Sequence, residues 1–254
     1  QQPGKTPLES MFELIAAVWP QDARVARIAV AAPGPIDSKL GMILAAPNIP
    51  GWLNLPLKSA LEQRFQTPAA VGNDANLAAL GEYHFGAGIG HHYLLYLTIS
   101  TGIGSGIIMA DRLIEGAHGL GAEMGHVTVL PDGPLCGCGK RGHLVAVAAG
   151  PGIARWVAEQ LAAGEPSSLA GSQGLSAKDV AAAAARGDPL ALRAMQRAGA
   201  FIGYALADFL HIFNPTIVIF GGGVSKSGEL LFSPLRIALE ERVISPGYLQ
   251  DLVL

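Results

Sequence analysis

Cysteine is scarce in this 254-residue chain: there are two, Cys136 and Cys138, one residue apart. That spacing argues against a disulfide, because bridging residues i and i+2 forces the Cα and Cβ geometry away from the unstrained range. Long runs of one charge are missing as well. The formal net charge is −3, which leaves no electrostatic footprint for nucleic acid or for a membrane surface. The opening residues, Q-Q-P-G-K-T-P-L-E-S, hold neither a basic n-region nor an apolar h-region, so no secretory signal is read in them. The most apolar stretch, Leu94–Met109, is interrupted by T-G-I-G-S-G and does not qualify as a membrane-spanning helix. Reduced thiols in a soluble cytoplasmic protein are the expectation.

What is abundant is apolar residues and glycine. Half of the chain is hydrophobic, enough to bury a sizeable core in one large domain or two small ones. The 33 glycines gather in clusters, G-I-G-S-G, G-L-G and G-G-G, a pattern that marks turns or backbone approaching a ligand. Thr6-Pro7-Leu8-Glu9 reads as a capped helix start, with apolar spacing carrying the helix through Trp19. A strand is predicted over 25–32, ended by P-G-P, and a shorter one over Met42–Ala45. Helices are predicted over Leu57–Phe65, from Asn73-Asp74 to about Phe85, and over 229–242. Tyr93–Ser100 and Gly106–Met109 read as strands joined by a glycine-rich turn. Ser176-Ala177-Lys178-Asp179 reads as a second capping box, Asp188-Pro189 as the start of a long helix toward Phe213, and Thr216–Phe220 as a β-branched strand. Interleaved strands and helices predict an α/β architecture, divided at residues 1–90 and 91–254.

Four stretches can carry chemistry. In H-x9-C-x-C-x4-H, His126, Cys136, Cys138 and His143 supply two imidazoles and two thiolates, a closed tetrahedral set suited to zinc; the alternative is two small buried residues and two unrelated histidines. Asn73-Asp74 joins a strand end to a helix start. Asp74 is either a helix cap or a general base near a substrate hydroxyl. Thr101-Gly102-Ile103-Gly104-Ser105-Gly106 is either a hairpin turn or a loop offering N–H groups to phosphate, but not a Walker loop, since the Gly-Lys-Ser/Thr ending is absent. Gly221-Gly222-Gly223 after I-V-I-F suits a nucleotide or a tight strand-to-helix connection. Met124 reads as packing, and Lys140 and Arg141 as solvated loop charges able to attract phosphate.

In order along the chain, A-P-G-P-I-D at 32–37, A-P-N-I-P-G-W at 46–52, G-N-D-A-N-L-A-A-L-G-E at 72–82, S-T-G-I-G-S-G-I at 100–107, G-A-E-M-G-H at 121–126, P-D-G-P-L-C-G-C-G-K-R-G-H at 131–143 and I-F-G-G-G-V at 219–224 together resemble the ROK family, and within it the bacterial glucokinases. The resemblance implies an actin-like (ribonuclease H-like) two-lobed sugar-kinase fold and transfer of the ATP γ-phosphoryl group to a hexose, for glucose at the 6-hydroxyl, with Mg²⁺. It implies Asp74 as catalytic base, Asn73, Glu123 and His126 as sugar contacts, and His126 with Cys136, Cys138 and His143 around a structural zinc. It assigns Thr101, Gly102 and Gly104 to the phosphate loop and Gly221, Gly222 and Gly223 to the nucleotide. A homo-oligomer is also implied.

The chain departs from the family pattern in three ways. His143 stands where the pattern C-x-C-G-x-x-G-C-x-E has its third cysteine, and histidine can replace cysteine on zinc. Val145 stands in place of the glutamate, which removes a charged sugar contact worth about 1.5–3 kcal/mol. The D-x-G-G-T hairpin that opens the family pattern has no counterpart, so the chain is expected to be truncated at both ends. Two other functions compete with the kinase: a sugar-sensing transcriptional regulator and an inactive sugar-binding remnant.

Overall fold

Thr6 and Glu9 close the first helix by reciprocal capping. The Thr6 hydroxyl accepts from the Glu9 N–H at 3.2 Å, and the Glu9 carboxylate accepts from the Thr6 N–H at 2.8 Å. The helix they start, α1, covers Pro7–Ala17. The computed structural model describes residues 5–46 and 49–254, so Pro47 and Asn48 of the A-P-N-I-P-G-W stretch lie outside the described residues. By packing, the described residues up to Ala78 form one unit with Glu115–Gly121, and Ala79–Ile114 form a second with Ala122–Leu254. These two packing units part between Ala78 and Ala79.

In the first unit β1 (Ile28–Ala32) pairs in parallel with β5 (Ala69–Asn73), Ile28 opposite Ala69. The strand predicted from residue 25 begins at Ile28. Three short strands, β2 (Ile36–Asp37), β3 (Met42–Ala45) and β4 (Leu53–Leu55), form an antiparallel sheet. Helix α2 (Leu57–Phe65) places Leu57 and Leu61 in a core with Ala32, Ile36, Ile43 and Val71. Apolar side chains two apart on the strands and four apart on the helix meet there, as the two periodicities require. Helix α3 (Asp74–Phe85) follows β5 without a loop.

The second unit is built on a four-stranded sheet. β6 (Tyr93–Ile99) and β7 (Ile103–Met109) form an antiparallel hairpin, β8 (Arg112–Leu113) pairs with β7, and β9 (Ile217–Gly221) lies parallel to β6. The glycine-rich segment is thus more strand than loop. Ile103 pairs with Ile99, Gly104 with Thr98 and Ser105 with Leu97, which leaves only Ser100-Thr101-Gly102 as the turn. Ser105 is buried, 4% exposed, and its hydroxyl donates to Ala122 O while accepting from the Met124 N–H. The alternating pattern of a strand was hidden by small residues that leave no hydrophobic signature.

Helices α4 (Leu144–Ala148), α5 (Gly150–Ala162), α6 (Ala177–Ala185), α7 (Pro189–Phe213) and α8 (Glu229–Arg242) complete the unit. The Ser176–Asp179 capping box is formed. Asp188 caps α7 through the Ala191 N–H at 2.9 Å and also accepts from the Ser168 N–H and the hydroxyls of Ser167 and Ser168. Burial alone would raise the Asp188 pKa, but these hydrogen bonds outweigh it and hold the carboxyl well below the usual range. Gly199 and Gly203, one turn apart on α7, meet α8 backbone. A Cβ on Gly199 would overlap Leu231 O, and one on Gly203 would overlap Leu235 O. Among the described residues, no helix is long and apolar enough to cross a membrane.

Candidate functional site

The turn from β5 to α3 fixes Asn73 and Asp74 differently. Asn73 Oδ1 accepts from the N–H groups of Ala75 and Asn76 at 3.0 and 3.1 Å, and Asn73 Nδ2 donates to Gly34 O at 3.3 Å. The helix cap is therefore Asn73, not Asp74. Asp74 is exposed, with Oδ1 accepting from the Ala75 N–H at 2.9 Å. One oxygen is oriented by backbone, and the carboxylate sits in the first turn of α3.

The β6–β7 turn and the glycines after β9 are adjacent. Thr101 and Gly223 both line a cavity of about 690 Å³, with apolar walls from Ala154, Leu175, Ala181 and Val224 and cations from Lys178 and Lys226. Apolar faces with a few convergent polar groups are the usual make-up of a small-molecule site. Gly102, Gly104, Gly221 and Gly222 are not among its lining residues. Gly221 and Gly222 have a packing reason instead. A Cβ on Gly221 would overlap the Tyr96 hydroxyl, and one on Gly222, whose φ is +88°, would overlap Ile99 O. The Val224 N–H then donates to Ile99 O at 2.9 Å. Gly102 is open, and a Cβ there would lie 4.0 Å from Val145 Cγ2. Asp74 lines neither this cavity nor the other one described below.

Glu123 and His126 flank a 3₁₀ turn over Met124–His126, and both are exposed. Their backbone is held against β7 by Ser105, and Gly125 is pressed so close to Ile103 O that a side chain there would overlap it. Met124 is buried, as packing requires.

The four metal candidates converge. One ligand atom from each of His126, Cys136, Cys138 and His143 lies within 4.8 Å of the others. His126 Nδ1 is 3.2 Å from His143 Nδ1 and 3.8 Å from Cys136 Sγ, and Cys138 Sγ is 3.3 Å from His143 Nδ1. A tetrahedral zinc with typical bond lengths sets its donors about 3.3–3.8 Å apart. Chemistry and spacing therefore fit that ion. Burial pushes the Cys136 thiol up, and the neighbouring Cys138 thiol adds to this. Burial likewise holds the His143 imidazole below its usual value, with the His126 and Lys140 charges adding to it. Turn bonds shape the loop: the Cys136 N–H donates to Lys140 O at 2.7 Å, and the Gly142 N–H to Pro134 O at 2.9 Å.

Most of the large cavity's wall carries no signal in the sequence. Lys178 belongs to a capping box, Lys226 to no motif, and Ala154, Leu175 and Ala181 look like any apolar stretch. Only the folding of α5 and α6 against the β6–β7 turn makes them a surface.

The ROK family profile matches residues 1–252. The glucokinase of Thermotoga maritima is 44% identical over 213 residues, 82% of this chain and 67% of that protein. Four curated glucokinases, that one included, are matched over 64–77% of their length. The crystal structure of a ROK family glucokinase from Streptomyces griseus in complex with glucose and AMPPNP superposes with a TM-score of 0.83 at 38% identity, covering 97% of this chain and 81% of that one. A ROK family transcriptional regulator, a homologue of the E. coli MLC protein, superposes with a TM-score of 0.82 at 34% identity over 97% of this chain and 61% of its own. The α/β fold is that of the ROK sugar kinases, and the chain belongs to the ROK family.

Proposed function

We propose that this chain transfers the γ-phosphoryl group of ATP to glucose. The observation that carries the reading is Asp74, a backbone-oriented carboxylate at a strand end and helix start, in a chain similar to glucokinases, one of which holds glucose and AMPPNP. The Asp74 carboxylate takes the proton from the sugar 6-hydroxyl as that oxygen bonds to the γ-phosphorus. The bond from γ-phosphorus to the bridging oxygen breaks, and ADP leaves with the electron pair. Asn73, Glu123 and His126 orient the sugar. The cavity beside Thr101 and Gly223 takes the nucleotide, its apolar wall facing the base and Lys178 and Lys226 offering positive charge. Mg²⁺ bound with the phosphates would supply charge neutralisation to the transferring group.

His126, Cys136, Cys138 and His143 would hold a zinc, which would staple the 127–143 loop to the Glu123–His126 turn. His126 turns Nδ1 to the cluster, which frees Nε2 for a sugar hydroxyl. Fixing a ligand ring through its second nitrogen is a common arrangement at metal sites.

The test is ATP-coupled phosphorylation of glucose by the chain and by Asp74→Asn. The expected result is a rate lower by roughly 100- to 10,000-fold in the variant, with unchanged thermal unfolding. Equal rates would remove Asp74 from the mechanism. The likeness to a ROK regulator supports a second reading, a sugar sensor. Glucose binding by calorimetry without measurable turnover in either protein would favour it.

A further inference from the structure

We propose that the cavity lined by the 132–141 loop, α5 and α7 binds a small phosphate-bearing anion, held by Arg141, Arg155 and Arg197 beside Trp156. The cavity measures about 280 Å³, and none of the residues assigned to the sugar, the nucleotide or the metal lines it. Three arginines from three separate segments line one small space, together with two acidic residues, Asp132 and Glu159. Glu159 lies 3.5 Å from Arg155 Nε, and Asp132 makes no ion pair among the described residues. The positive charge is therefore incompletely balanced.

Local structure explains how these arginines are aimed. Arg155 donates to Ala146 O at 2.5 Å and Arg197 to Val147 O at 3.5 Å, both carbonyls in the last turn of α4, while Arg141 donates to Gly133 O at 3.4 Å. Arg197 is further held against the rings of Trp156 and Phe201, 5.6 and 5.0 Å from their centroids. These contacts occupy a minority of the N–H donors each guanidinium carries. They do not explain why like charges are gathered. Burial lowers the Arg197 pKa from the usual arginine value; Glu159 opposes that, and Arg155 adds to it. Such a cluster is costly by itself and is relieved by an anion.

The choice of anion follows from geometry. One carboxylate satisfies one guanidinium fork, whereas a phosphate presents three oxygens to donors arriving from different sides. The cavity exceeds the space of a bare phosphate, since a water takes about 30 Å³. Room remains for a small esterified body next to the indole. Glu159 is the competing internal anion and weakens binding.

Trp156 is a local reporter. In a full chain carrying Trp19→Phe and Trp52→Phe it is the remaining tryptophan of three. Its fluorescence is followed during titration with inorganic phosphate, and in a second arm with glucose 6-phosphate, at ionic strength fixed with potassium chloride. The expected response is saturable, with Kd raised at least tenfold by Arg141→Ala and lowered about threefold by Glu159→Gln, at unchanged melting temperature. Arg141 is exposed, so its loss leaves the core intact. Tighter binding of the ester makes the ligand a phosphorylated metabolite, and equal binding makes it phosphate; either upholds the site. A response matched by potassium chloride alone, or a Kd unchanged in both variants, overturns it. Glucose phosphorylation is not the readout, so this proposal and the kinase reading fail separately.

Discussion

His126 and His143 face each other through their Nδ1 atoms at 3.2 Å. Two imidazole nitrogens that close, with two cysteine sulfurs alongside, form a donor cage in which a proton can serve one contact and a divalent cation can serve all four. The positions come from different backbone: His126 ends a 3₁₀ turn, and His143 precedes α4.

The first prediction concerns that cage. The purified chain is expected to hold one zinc per molecule by metal analysis, and chelation is expected to lower its melting temperature. His143→Ala should lose the metal. His143→Cys should keep it, since thiolate and imidazole are both tetrahedral zinc ligands at similar reach. Full zinc occupancy in His143→Ala would show that His143 is not a ligand.

A second prediction rests on the α7–α8 contact. Gly203→Ala gains roughly 1 kcal/mol of helix propensity. It also places a methyl group against Leu235 O and about 2.9 Å from Ala238 Cβ. Overpacking of a rigid contact costs about 1–3 kcal/mol, so the net is a destabilisation of about 1 kcal/mol. Gly203→Val adds bulk without the propensity gain and should cost about 3 kcal/mol. Thermal unfolding reads both; a melting temperature for Gly203→Val equal to the parent would contradict the close packing of α7 on α8.

Asp188 gives the pH prediction. Its carboxyl is held below the unfolded aspartate value of about 3.9. Its contribution is therefore complete above that value and is lost as pH falls through the lower folded pKa. Asp188→Asn retains an acceptor for the Ala191 N–H but turns an amide toward the Ser168 N–H. The expected cost is about 2 kcal/mol at pH 7, shrinking below about pH 4, where the unfolded parent's carboxyl takes up a proton that the folded one does not. Urea unfolding at pH 7, 5 and 3 follows the difference. A gap that widens on acidification would reverse the sign assigned to this group.

Some features could be read before any folding was known because they are local. Thr6 with Glu9 and Ser176 with Asp179 formed the capping boxes their spacing dictates, and Pro189 opened α7 behind Asp188. The H-x9-C-x-C-x4-H spacing proposed four ligands, and all four converge. Other features were misread because small residues carry no periodic signal. The segment 103–106 passed for a loop but is strand, and Asn73 rather than Asp74 became the helix cap.

By itself, then, the sequence determined helix starts, the order of strands and helices, the clustering of His126, Cys136, Cys138 and His143, and the family, since each depends on residues close in the chain or on motifs in a fixed order. Only the tertiary structure decided which glycines border a cavity and which are pinned under backbone, and that Arg141, Arg155 and Arg197 share one space. Those outcomes depend on how helices distant in sequence pack together, and close packing is a property of the assembled interior that no local pattern encodes.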